Sequence, residues 1–433
     1  MPARRSLLVT ALLLPLLLLA GCRIETINYF PEKSAQVRFA NYVPDAAGMD
    51  VLVDTAAFWS GIAPEAVTPY KPLDPVQHTF ALRITGTAAQ TSSADYSLNG
   101  EQNYTLIAYG TAALTSTVMV GDFKDGPGSG NFRARVLSFA PNVAAVDMYL
   151  TAPDADIANL SPNANAKAVA YGSVGVLDNY PPGASRIRFT TAGTKTVIYD
   201  SGPVTLPGDT NANLVVYSRG SGTLVNLAML QTTGAATATT LESNAARVRA
   251  LHLANDTGAL NLLANQAVLF PNLGYGVPAD YASVANASYD FTAEAVATPG
   301  AVLATLGRAL APATDTTLYV RGDPGSQAIV ALADDNIPAL SGLGRLRIVN
   351  VTGNGATIDV LAGTTVIASG ITPTSTPAYL DIAVGTYTLT VRDTATGAVL
   401  PAQVSYTSAI STVYTLYVAG TATQATLVLA KDR

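Results

Sequence analysis

The chain predicts an all-β protein, four tandem immunoglobulin-like antiparallel β-sandwich domains behind an N-terminal signal peptide. Three observations carry that expectation. A fifteen-residue pattern opens four times at near-regular spacing. Within each copy, short runs alternate apolar residues with Thr, Arg or Ser, as in Tyr387-Thr388-Leu389-Thr390-Val391-Arg392, and Gly, Pro, Asn or Asp punctuate them. No long stretch places apolar residues at i, i+3, i+4 and i+7 between caps; residues 293–310 come nearest, and Pro299-Gly300 breaks them.

The first element is Met1-Pro2-Ala3-Arg4-Arg5 followed by an apolar run over 7–19 that is mostly leucine. A basic stub, a short apolar core and small residues before a cut site read as a secretory signal, too short to span a bilayer comfortably. Its end, Leu19-Ala20-Gly21-Cys22, resembles the lipobox of bacterial lipoproteins. That resemblance implies cleavage between Gly21 and Cys22, lipidation of Cys22 and acylation of the new amino terminus. The mature chain then has 412 of the 433 residues, held to a membrane by two or three acyl chains. Arg23 stands where an Asp in that family commonly retains the protein at the inner membrane, so the expected location is the outer membrane, facing periplasm or cell surface. Residues 22–35 are the lipidated cysteine and its tether.

The four copies follow in order, expected at 36–125, 133–232, 246–336 and 344–433. They open with Val37-Arg38, Ala134-Arg135, Val248-Arg249 and Leu346-Arg347. Asp50, Asp147, Asn261 and Asp359 each lie thirteen residues after the opening position. A second landmark recurs 67 to 79 residues after each start, at Tyr104, Asn213, Thr317 and Tyr414, and a last apolar strand follows it. Three copies pair a Tyr with an aromatic or imidazole eight residues on: Tyr70 with His78, Tyr281 with Tyr289, Tyr379 with Tyr387. The second copy has Leu177 and Ser185 there. Starts 97, 114 and 98 residues apart exceed any solenoid repeat, so these are tandem domains, each with about seven strands at the rhythm of an immunoglobulin-like sandwich. Gly126-Pro127-Gly128-Ser129-Gly130 reads as a flexible linker, 232–246 as an Ala/Thr-rich one, and 336–344 as a third.

The opening pattern resembles the bacterial cell-envelope family catalogued as domain of unknown function 4397. Val37-Arg38, Asn41, Pro44-Asp45-Ala46 and Asp50-Val51 carry the likeness best, joined by Pro141 and Asp147, by His252 and Asp256, and by Gly385-Thr386-Tyr387-Thr388-Leu389. The fourth copy departs, with Gly353-Asn354 where Pro-Asp is usual. The resemblance implies an envelope location and tandem β architecture, and it brings no activity and no functional residues.

Composition narrows the function classes. Net charge is −6, or −8 once Arg4 and Arg5 leave, and basic residues never cluster, which argues against nucleic acid. Cys22 is the only cysteine, so no disulfide framework is available. The two histidines, His78 and His252, lie in different copies at non-equivalent positions and make no usual zinc site. His252 aligns with Asn41, Ser138 and Asn350, which reads as a structural hydrogen-bonding slot. The recurring Asp is replaced by Asn261 in one copy, which proton chemistry does not tolerate and a structural anchor does. Asp209-Thr210-Asn211-Ala212-Asn213 has alternating oxygens but lacks the rest of a calcium loop, Leu214 and Gly220 standing at the key places. Arg321-Gly322-Asp323 reads as a glycine turn, because the same slot holds Arg219-Gly220-Ser221 and Ala419-Gly420-Thr421.

The reading these features support is a non-enzymatic, lipid-anchored envelope protein with a structural, adhesive or surface-interaction role. It has no catalytic residues, metal or cofactor, and its membrane contact is through acyl chains. The alternative is capture of an envelope glycan, peptidoglycan or protein by loops of the second copy, whose longer segment 152–170 carries Asp154, Asp156, Asn163 and Asn165.

Overall fold

A computed structural model describes residues 33–433 apart from 142, 219–224, 235, 340–341, 354, 374, 376–377 and 421–424. The signal segment, the Gly21–Cys22 cleavage site and the lipidation of Cys22 lie outside the described residues. The described chain is β throughout, with one 3-10 turn at Ala164–Ala166.

The first module sets the plan. Its strands are β1 (Ala35–Tyr42), β2 (Met49–Val53), β3 (Ala56–Ile62), β4 (Lys71–Leu73), β5 (Gln77–Ile84), β6 (Gln90–Ser97), β7 (Asn103–Gly110) and β8 (Thr115–Asp122). They form two four-stranded sheets, ordered β4-β1-β7-β8 and β3-β2-β5-β6. The third and fourth modules repeat both orders, so each of these three modules has eight strands among the described residues where about seven were expected. The sandwich is also not wholly antiparallel. β1 lies parallel to β7, with Arg38 opposite Thr105, and the same parallel pairing places Arg135 opposite Asn213, Arg249 opposite Thr317 and Arg347 opposite Thr415. The chain leaves β1, builds the other sheet, and returns on the same heading, which alternation along a single strand does not encode.

The second module elaborates the plan. Its first sheet has six strands, because two short strands, Ser173–Val174 and Asp178–Tyr180, take the place of β4, and Ala238–Leu241 adds beside Val225–Gln231. The expected linker 232–246 therefore contributes a strand. The expected flexible linker before this module is pinned as well: the Gly130 N–H donates to Asp209 Oδ1 at 2.8 Å, and Gly126 lies so close to the Asp209 carbonyl that a Cβ would overlap it.

Each module has its own core between its two sheets. In the first, Val37, Phe39, Met49, Val51, Trp59, Phe80, Leu82 and Leu106 fill it. The other face of the first sheet is buried too. Ala40, Tyr42, Ile107 and Val120 pack against Leu137, Phe139, Val215, Tyr217 and Leu230 of the second module. Leu251, Leu253 and Tyr319 likewise pack against Val349, Val351, Tyr417 and Val428 of the fourth. This explains why β1 and β7 read as nearly continuous apolar runs: both faces of their sheet are covered. The modules are therefore joined as two face-to-face pairs, first with second and third with fourth.

Candidate functional site

The recurring carboxylates act on backbone. Asp50 accepts the N–H of Gly61 at 2.9 Å, Asn261 Oδ1 that of Asn272 at 2.9 Å, and Asp359 that of Gly370 at 3.0 Å. Asp147 accepts from the N–H groups of Ala168 at 2.6 Å and Gly193 at 2.8 Å. The donating residues Gly61, Ala168, Asn272 and Gly370 have φ of 68°, 51°, 51° and 67°, in the left-handed region. In the first, third and fourth modules the pairing of β2 with β3, or their counterparts, shifts register here. The side chain thus satisfies an N–H that the bulge removes from the ladder. The Gly370 N–H and then Arg392 hold the Asp359 carboxyl below its ordinary range.

The aligned slot at the end of β1 closes the strand. Asn41 accepts from the Val43 N–H at 3.0 Å and donates to the Ile62 carbonyl at 2.9 Å, and Asn350 accepts from the Thr352 N–H and donates to the Ile371 carbonyl. His252 does the same with a ring. Nδ1 accepts from the Ala254 N–H at 3.2 Å, so Nε2 carries the proton and reaches the Thr257 carbonyl at 3.1 Å. Burial pushes its pKa down, keeping it neutral. His78 takes the place of Tyr289 and Tyr387. Those hydroxyls donate to carbonyls four residues back, Ala285 and Ala383, and His78 Nε2 lies 3.0 Å from the Asp74 carbonyl. Burial opposes its charge, but Asp54, 2.5 Å from Nδ1, and the Asp74 carbonyl outweigh it and raise the pKa.

The module-pairing face is where charge is buried. Arg249 of the third module forms an ion pair with Asp432 of the fourth, and Arg347 of the fourth reaches Asp334 of the third at 2.5 Å. Each Asp is also held by the threonine of its own module, Thr415 to Asp432 and Thr317 to Asp334, both at 2.6 Å. Tyr281 and Tyr379 cover the Arg249 and Arg347 guanidinium groups at 4.9 and 4.8 Å, as Tyr70 covers Arg38. Burial opposes the Arg249 charge, but Asp432 and its other neighbours outweigh it; burial in turn pushes Asp432 up against the pull of Arg249.

The first pair carries an altered version. Thr232 occupies the position of Asp122, Asp334 and Asp432, so Arg38 meets the Ala236 carbonyl at 3.2 Å and its Nη2 has no hydrogen-bond partner among the described residues. From the other side, Asn213 donates to Asp122 at 2.8 Å and Arg135 donates to the Gly121 carbonyl. Asn211, from the same oxygen-rich run, donates to the carbonyls of Phe123 and Asp125. The amide nitrogens of that run therefore build the joint between modules, while the Asn211 and Asn213 oxygens accept from Arg133 and Arg135 of their own module.

Sequence reasoning missed the arginines. The signal was present: Asp122, Asp334 and Asp432 follow Arg38, Arg249 and Arg347 by 84 or 85 residues. It was invisible as a site because the partner of each arginine in the second pair lies in the neighbouring module. Elsewhere, loop 152–170 is fixed by Arg188 to the Ala155 carbonyl and by Lys195 to the Ile157 carbonyl, leaving Asp154 and Asp156 exposed. Gly322, φ 105°, makes the turn between Arg321 and Asp323, and Asp323 is engaged by Asn255. Arg219-Gly220-Ser221 lies outside the described residues. Among the described residues no three His, Cys, Asp or Glu side chains gather to hold a metal, and no helix is long and apolar enough to cross a membrane.

A sequence model for the domain of unknown function DUF4397 matches residues 35–149, 246–356 and 344–433. No curated protein matches the chain. Among solved structures, a family CBM26 module from Eubacterium rectale Amy13K in complex with maltoheptaose is 11% identical at TM-score 0.16, covering 48% of this chain and 95% of that one. A streptococcal virulence factor described as binding alpha-glucan is 11% identical at TM-score 0.16, covering 42% and 93%. The Bacillus anthracis TIE protein is 9% identical at TM-score 0.14, covering 83% and 63%. Likeness this remote says nothing about what the present chain binds.

Proposed function

The chain belongs to the DUF4397 domain family, and from that premise we propose that it is a non-enzymatic, lipid-anchored scaffold of the cell envelope. In this reading Cys22 carries the acyl anchor in the outer membrane, and two rigid module pairs present a structural or adhesive surface. The observation that carries it is the reciprocal pairing of Arg249 with Asp432 and Arg347 with Asp334. A buried charge left without its partner is strongly destabilising, so such a lock favours one docking geometry and resists sliding of the modules. The repeated polar residues serve bulges, strand ends and module joints, the work of holding a shape.

A second reading, capture of an envelope ligand by loop 152–170, draws on the exposure of Asp154 and Asp156 on a fixed loop. Metabolic labelling with palmitate tests the anchor: the wild-type chain takes label and fractionates with the outer membrane, while Cys22→Ser loses both. Label on the variant, or none on the wild type, overturns the lipoprotein assignment. Protease shaving of intact cells, read on the fourth module, then separates the roles. Digestion supports surface adhesion; protection until the outer membrane is permeabilised supports a periplasmic scaffold.

A further inference from the structure

Between the third and fourth modules lies a cleft of about 570 Å³, within the range of small-molecule sites. Its walls include Asn255, Asp256, Thr257, Tyr275 and Asp323 of the third module and Thr426 of the fourth. The floor is preorganised. The Asn255 amide donates to Asp323 Oδ1 at 2.9 Å, its own N–H donates to the Gly322 carbonyl, and the Thr257 hydroxyl donates to the Asn255 carbonyl. Tyr275 is 37% exposed, and its ring stands edge-on to buried His252 at 5.6 Å and 84°. His252 also donates to the Thr257 carbonyl, so one imidazole sets both an aromatic wall and a polar one. Here the third module departs from the others: its strand-end slot holds an aromatic ring, which packs edge-on with Tyr275. The matching loop of the first module is occupied, since Asp45 accepts from the Ala112 N–H and from Ser411 of the fourth module.

We infer that this cleft is a binding site for a short neutral oligosaccharide. The Tyr275 ring offers an apolar face for the C–H side of a pyranose, and carboxylate, amide and hydroxyl groups surround it to pair with sugar hydroxyls. Two carboxylates with no Lys or Arg among the described lining residues reject uronic or sialic acids by like charge. Among the described residues no third carboxylate joins Asp256 and Asp323 to make the charged cage a calcium ion takes. His252 is a positioning residue. The site stands independently of the lipid anchor and of loop 152–170.

The experiment is calorimetric titration of the full Cys22→Ser chain with maltotriose, cellotriose and triacetylchitotriose, with trigalacturonate and calcium chloride as controls. At least one neutral trisaccharide should bind saturably. Tyr275→Ala should weaken it about tenfold or more. His252→Asn, which restores the residue of the first and fourth modules, should weaken it several-fold, and Leu114→Ala, at an exposed position of the first module, should leave it unchanged. Thermal unfolding of each variant shows that the fold is intact. No binding by any neutral trisaccharide, unchanged affinity in Tyr275→Ala, preference for trigalacturonate, or calcium binding without sugar would each overturn the assignment.

Discussion

Asp147 shows how little of the recurring polar chemistry is free to act on a ligand. It is buried, and its two oxygens take N–H groups from two different loops, Ala168 and Gly193. Asp147→Ala should destabilise the Cys22→Ser chain by about 1 kcal/mol for each hydrogen bond lost, since Ala168 and Gly193 are exposed and their N–H groups can turn to water, with Asp147→Asn milder, as read by urea unfolding. That these positions were anchors was legible in the sequence, because Asn261 stands among three aspartates. Which backbone group each one holds was not, since the donors lie 11 to 46 residues away across a bulge or loop. His78 gives the pH prediction. Asp54 and the Asp74 carbonyl outweigh burial and raise its folded pKa above the ordinary 6.5. Its contribution is therefore full below that ordinary value and is lost as pH rises through the higher folded one. Thermal melts should show wild type exceeding His78→Gln most at mildly acid pH, with the gap closing as pH increases; a gap that widens would contradict this. His252 runs the opposite way, its depressed pKa making acid destabilising.

Strands were legible as elements because their alternation is written along the chain, and Tyr387 to Arg392 do lie within one strand, Gly385–Asp393. The sheet each strand joins was not. β1 and β7 are adjacent and parallel although 67 residues separate Arg38 from Thr105, and only the three-dimensional path reveals it. Glycine-rich connectors misled for a related reason. Composition sees Gly126 and Gly130 as freedom, whereas the fold uses the missing Cβ to bring the connector against Asp209. Gly126→Ala should loosen the joint of the first two modules, seen as faster hydrogen exchange at residues 126–130 and at Arg133, while Gly128→Ala, with open space at that Cβ but strained at φ 71°, should leave the contact to Asp209 in place. Equal exchange in the Gly126 variant and wild type would show that the connector does not depend on this approach.

At the scale of the molecule, two pairs of sandwiches replace a string of four beads. The Arg249–Asp432 lock makes a test by paired substitution. Arg249→Met alone should cost about 3–5 kcal/mol by stranding buried Asp432, whereas Arg249→Met with Asp432→Leu should be near neutral. Equal losses in single and double variants would mean that the charges are not coupled. The pairs also touch: Ser411 of the fourth module donates to Asp45 of the first at 2.5 Å. In the Cys22→Ser background, which has no other thiol, Asp45→Cys with Ser411→Cys should form an intramolecular disulfide under mild oxidation. A chain that stays reduced would argue for an open arrangement. Residue order by itself determined the four-fold repetition, the β class and the anchoring role of the repeated polar side chains, because each of these is a local or periodic property. Tertiary structure decided the parallel β1–β7 pairing, the second buried face of that sheet and the exchange of Arg and Asp between modules. Those depend on which surfaces meet, and an apolar residue that faces its own core is indistinguishable along the chain from one that faces a neighbour's.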